Sequence, residues 1–142
     1  MRSLLDVNVL IALLDADHTL HGCAMEWFRA EGVGGWATCP ITQNGCVRIM
    51  SHPSYPNAIP IHLLIERLAA AATSKHHEFW PDDVSVFHQD AIDSARIHGS
   101  RQLTDVYLVA LAVRHAGRFV TFDAGIPIGA VRGADKRRLL VL

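Results

Sequence analysis

Short apolar runs alternate with segments of helical periodicity along the chain, and no other feature constrains its fold as strongly. Residues 2–5 read as a buried strand that stops at Asp6, and Val9, Leu10, Leu13 and Leu14 then recur at helical spacing. Asp17 is a candidate cap for a second helix carrying Leu20, Ala24, Trp27 and Phe28, which Gly32, Gly34 and Gly35 bring to a stop. Residues 36–39 predict a second strand, and Pro40 suits the first turn of a third helix running through Gln43, Val47 and Met50. A proline-rich loop at 51–60 leads to Ile61, Leu64, Ile65, Leu68 and Ala72, one face of a fourth helix. Residues 78–80 read as a strand cut off by Pro81, and residues 91–97 as a helix ended by Gly99. Thr104 is a natural N-cap for a helix over 105–115, apolar nearly all round and therefore buried. Strands at 118–122 and 138–142 complete the pattern. Strands separated by helices predict an α/β fold, a parallel sheet with helices on both faces.

Composition narrows the class further. The chain has 142 residues, half of them apolar and 19% charged, which suits one globular domain spanning 1–142. Its longest apolar run, residues 106–113, is too short to span a membrane, and no signal-peptide pattern opens the sequence. Cys23, Cys39 and Cys46 are odd in number and form no C-x-x-C pair, which suits buried thiols in a reducing, cytoplasmic setting. Net charge is −1, but it is unevenly spread. Residues 96–142 hold eight bases against three acids, a net +5, and the preceding part carries −6. Such asymmetry suits a polyanionic partner approached by one face. Arg101, Arg114 and Arg132 are candidates for holding a phosphate backbone by charge.

Three aspartates stand out by location. Asp6 and Asp123 each end a strand-like run, and Asp105 lies in the first turn of the most apolar helix. The carboxyl ends of parallel strands share one rim, where ligands bind, so Asp6 and Asp123 are expected to meet there. Singly, each aspartate is explained by capping free N–H groups at a helix start. Jointly they repel, and a hard divalent cation relieves that repulsion. Asn8 adds a neutral oxygen ligand or a donor that fixes a carboxylate.

The ordered set resembles the PIN-domain nucleases, and among them the VapC-type toxins of toxin–antitoxin systems. The matching pieces are residues 4–11, with Asp6 and Asn8, residues 103–112, opening Leu103-Thr104-Asp105, and Val120-Thr121-Phe122-Asp123. Residues 40–48 and Ser51-His52-Pro53 are similar to the same group. The resemblance implies a PIN-like three-layer α/β/α domain with a mostly parallel sheet of about five strands. It implies an endoribonuclease using one or two Mg²⁺ or Mn²⁺ ions held by Asp6, Asp105 and Asp123, with Asn8, Gln43 and Thr121 in support. Water attacks in such enzymes, leaving a 5′-phosphate and a 3′-hydroxyl. The family's further acid falls at Gln43, which contributes no charge, implying weaker Mg²⁺ affinity or a Mn²⁺ preference. A small VapB-type antitoxin and a toxin homodimer are the implied partners. The altered acid set leaves a second reading, a PIN-like module that binds RNA or a partner without cutting.

Other chemistries lack support. His18 and His21, like His76 and His77, have no second pair or cysteine cluster with which to build a zinc site. No P-loop, G-x-G-x-x-G or G-x-S-x-G motif occurs. A phospho-receiver domain needs an aspartate after a central strand and a lysine after a late one, and neither stands in place.

Overall fold

A computed structural model of the chain describes residues 1–142. Five short strands form one sheet: β1 (Ser3–Leu5), β2 (Trp36–Thr38), β3 (His77–Phe79), β4 (Arg118–Thr121) and β5 (Leu139–Val141). Their order is β3-β2-β1-β4-β5, and every neighbouring pair is parallel. Five helices connect them: α1 (Val7–Leu14), α2 (His21–Glu31), α3 (Pro40–Met50), α4 (Ile61–Ala72) and α5 (Leu103–Arg114).

Side-chain alternation along the strands divides the core in two. Leu4, Ala37 and Phe119 face α5, where Val106, Leu108, Val109 and Leu111 pack on them. Leu5, Trp36 and Val120 face the opposite layer, against Val9, Cys46, Met50 and Leu64 from α1, α3 and α4. Complete burial of such side chains stabilises by about 1.5–3 kcal/mol each. The two faces make the expected three layers, with the apolar α5 alone against one of them.

Several local expectations are corrected. Asp17 does not cap α2, which begins at His21 behind an uncapped Leu20; the Asp17 amide instead donates to Oδ1 of Asp15 at 3.0 Å. Thr104 is not an N-cap either. A 3₁₀ turn at Ser100–Gln102 winds directly into α5, so Thr104 is already helical. Residues 91–97 form no α-helix, only a 3₁₀ turn at Ser94–Arg96. Their backbone pairs instead with a later segment, through an Ile92–Val131 bridge and the bonds Asp93 N–H to Ala130 C=O and Arg132 N–H to Ala91 C=O. Cys39 lies just past β2 at the N-cap of α3, where its amide donates to the Thr42 hydroxyl at 3.0 Å. The chain enters β2 through Gly35 at φ +102°, a conformation that L side chains rarely adopt.

Candidate active site

β1 and β4 are adjacent, so their carboxyl ends open onto the same rim. Asp6 leaves β1 in extended conformation and caps α1, its Oδ1 accepting from the Val7 amide at 2.7 Å. Its Oδ2 accepts from the Thr121 hydroxyl, also at 2.7 Å. The same hydroxyl oxygen accepts from the Asp123 amide at 3.0 Å, so one threonine ties both strand-end aspartates together. Asp123 in turn folds its own turn: Oδ1 accepts from the Gly125 amide at 2.6 Å. A Cβ at position 125 would stand 3.1 Å from that oxygen, so glycine permits the close approach. Gly125 escaped the sequence reading, although Asp-x-Gly is a recognisable turn signal.

Asp105 completes the group from the first turn of α5. Its carboxyl is pushed up to about 6, first by burial and then by the charges of Asp6 and Asp123. No hydrogen bond offsets that rise. Asp6 is only 8% exposed, and burial pushes its carboxyl up as well, against the opposing bonds from Thr121 and Val7. Asp123 adds to the upward push on Asp6. The three aspartates from distant parts of the chain therefore share one electrostatic environment.

That environment suits a cation. Nowhere in the chain do three His, Cys, Asp or Glu side chains converge into a ready-made ion cage. A magnesium-like ion does not require one, because it keeps several waters and takes only one or two carboxylates directly. The donor set, all oxygen and all anionic, fits such an ion.

The remaining expected residues occupy different places. Asn8 is exposed in the first turn of α1. Gln43 is hydrogen-bonded to none of the three carboxylates: its Nε2 donates to the Thr38 hydroxyl at 2.9 Å, and the Thr38 oxygen lies 2.8 Å from Nε2 of His77. Thr38 lies on the α3/α4 face of the sheet, as alternation with Ala37 requires, and Gln43 lines a groove between those helices with Val47, Ile61 and Ile65. The structure thus gives Gln43 a role in joining α3 to β2 and β3. Among the arginines, Arg101 is exposed on the turn leading into Asp105. Arg114 and Arg132 lie elsewhere, facing Asp83 at 3.7 Å and Asp93 at 3.9 Å.

The model of the PIN domain family matches residues 3–130. The chain belongs to the PIN-domain family. Within it, the chain is 51% identical over 142 residues to ribonuclease VapC44 of Mycobacterium tuberculosis, covering all of both chains. It is 44% identical to ribonuclease VapC39 of the same organism, over 94% of this chain and 96% of that one. These full-length similarities make it a VapC-type PIN protein. Among solved structures, M. tuberculosis VapC20, described as a sarcin-ricin-loop-cleaving toxin, superposes with a TM-score of 0.61 over 93% of this chain and 98% of that one. At 12% identity that likeness speaks for the fold.

Proposed function

We propose that this chain is the toxin of a type II toxin–antitoxin pair, a Mg²⁺- or Mn²⁺-dependent endoribonuclease acting on structured RNA. The observation that supports this reading is the mutual charge influence of Asp6, Asp105 and Asp123, with Asp6 and Asp123 both pushing the Asp105 carboxyl up and Asp123 pushing up Asp6. Burial first, and then the charges of Asp6 and Asp123, push the Asp105 carboxyl up to about 6. Full-length identity to proteins named ribonucleases supports the same activity and weighs against a module that binds RNA without cutting.

Asp6, Asp105 and Asp123 would hold one or two ions, with water filling the remaining positions. Bound there, a divalent ion would neutralise phosphate charge and lower the pKa of water. Thr121 fixes the Asp6 carboxylate and the Asp123 backbone, and Gly125 fixes the Asp123 side chain. Arg101, four residues before Asp105 and outside the chain's ion pairs, would hold the RNA backbone beside the acids.

A VapB-type antitoxin and a second copy of the toxin are the partners this reading calls for, and a cytoplasmic site of action goes with them. No helix is long and apolar enough to cross a membrane. The outer face of α4, with Ile61 and Ile65 more than half exposed, offers apolar surface for a protein partner.

The test incubates a structured RNA with the protein and Mg²⁺ or Mn²⁺, beside EDTA controls and Asp6→Asn and Asp123→Asn variants. Metal-dependent cleavage lost in both variants is the expected result. RNA retained without cleavage by the unaltered protein would return the reading to a binding module.

A further inference from the structure

Gln43, Thr38 and His77, from α3, β2 and β3, form one continuous hydrogen-bonded chain. Nε2 of Gln43 donates to the Thr38 hydroxyl at 2.9 Å, and the Thr38 oxygen stands 2.8 Å from Nε2 of His77. Thr38 is fully buried, and its side chain makes no further hydrogen bond. The carbonyl of Ala72, at the end of α4, acts on the imidazole as an acceptor. With Nε2 at Thr38, that carbonyl falls to Nδ1. The ring itself lies against Trp36, with centroids 4.4 Å apart.

A hydroxyl has one hydrogen to give, so the direction of one bond in such a chain fixes the next. With the Gln43 N–H aimed at its oxygen, Thr38 keeps its own hydrogen for His77. Nε2 is then the acceptor, and the neutral ring carries its proton on Nδ1, toward Ala72. Every donor from Gln43 to Ala72 is used, and the chain runs one way. Gln43 also lines the groove of about 540 Å³ between α3 and α4, beside Val47 and Ile65. Its Oε1, the half of the amide that Thr38 does not hold, is left for that groove.

A proton on Nε2 is incompatible with this order. Nε2–H must donate to the Thr38 oxygen, which displaces the Thr38 hydrogen, and an unused donor at a fully buried position is costly. A half-turn of the Gln43 amide brings Oε1 to accept that hydrogen without moving any helix or strand. We infer that protonation of His77 reverses the chain and turns the Gln43 amide over, so that the groove wall at Gln43 changes from acceptor to donor. Burial holds the imidazole below its usual range against the Ala72 carbonyl. Arg2 adds to the lowering, and Glu78, paired with Arg2 at 2.9 Å, opposes it. No charged group of α3 or α4 acts on the ring. Gln43 therefore offers the groove a carbonyl at neutral pH and an amide N–H₂ in acid. This inference goes beyond the ribonuclease reading and stands independently of it.

The test is an NMR titration of the full ¹⁵N-labelled chain from about pH 8 to about pH 5, the range in which histidines change charge. At the alkaline end the long-range ¹H–¹⁵N spectrum is expected to show the His77 proton on Nδ1. The Gln43 side-chain amide should then shift with the same midpoint as the His77 ring, whereas that of the exposed Gln89 should not. In Thr38→Val the ring should still titrate and the Gln43 amide should no longer follow it. Gln43→Met tests the chain without touching the buried strand. Methionine gives the displaced Thr38 hydrogen no good acceptor, so the His77 midpoint should fall by about half a pH unit or more. A neutral ring protonated on Nε2, a Gln43 amide that ignores the His77 titration, or one that still follows it in Thr38→Val would overturn the inference. So would an unchanged or raised His77 midpoint in Gln43→Met, or a ring that stays neutral throughout the range.

Discussion

The hydroxyl of Thr121 donates to Oδ2 of Asp6 at 2.7 Å, joining residues that lie 115 positions apart in the chain. Because the same oxygen accepts the Asp123 amide, replacement by the near-isosteric valine removes two bonds at once. We expect Thr121→Val to lower RNA cleavage about 10- to 100-fold, the usual scale for groups that orient ligating side chains. It should also cost about 1–3 kcal/mol of stability, because a polar group is left unpaired where Thr121 is fully buried. Thr121→Ser should preserve most of both. Cleavage rates and urea denaturation check this, and equal activity of Val and Ser variants would remove Thr121 from the site.

The carboxyl of Asp105 makes stability depend on pH in a defined direction. Its folded value is raised to about 6 from an ordinary 3.8, so the metal-free folded protein holds an extra proton between those values. Stability therefore falls as pH rises from about 4 to about 6, and the penalty is fully present above that range. Asp105→Asn is expected to stabilise the metal-free protein at pH 7.5 by on the order of 1–2 kcal/mol, allowing for solvent screening of a half-buried group. The gain should vanish near pH 4. Thermal denaturation in EDTA across that range is the measurement, and a gain independent of pH would contradict the assignment.

Apparent affinity for Mn²⁺ should follow the same group in the opposite sense, because the cation needs the ionised form. Binding is expected to weaken as pH drops through about 6. Calorimetric titration at pH 5.5 and 7.5 tests this, using the unaltered protein beside Asp105→Asn, whose affinity should vary less.

Gln43 offers a sharper contrast between sequence and structure. Its position in the family pattern implies that Gln43→Glu restores an acid and strengthens cation binding. With its amide on Thr38, the structure leads us to expect cation affinity changed by less than about twofold, because the new carboxylate would be held by the Thr38 hydroxyl. The effect should appear at His77 instead. A carboxylate at 43 can only accept, so Thr38 turns its hydrogen toward it and presents its oxygen to a His77 Nε2–H. Burial holds the His77 imidazole below its usual range, and the substitution should raise it. An NMR titration of His77 reads this directly, and a large gain in Mn²⁺ affinity would restore the family-based expectation.

Gly45 sets how closely α3 approaches α1 beside Asp6. A Cβ there would stand 2.7 Å from Cγ2 of Val7. Gly45→Ala gains about 1 kcal/mol in helix propensity but forces that contact, so we expect net destabilisation of about 1–2 kcal/mol. Pairing it with Val7→Ala should recover most of the loss in a double-mutant cycle measured by urea denaturation.

The chain's letters alone determined the succession of strands and helices, the burial of α5 and the placing of Asp6 and Asp123 at strand ends. Each of these follows from local periodicity and from where an apolar run stops. They also carried the motifs by which the family is recognised. Tertiary structure decided what depends on partners distant in sequence. Residues 91–97 gave up a helix because residues 130–132 satisfy their backbone. Gln43 is bonded to Thr38 because Thr38, linked in turn to His77 on the adjacent strand, offered its amide a buried partner. Strand order brought β1 beside β4 and so gave Asp6, Asp105 and Asp123 a common field. Spacing along a chain shows which way a side chain points on its own element, but what it then meets is set by which elements pack together.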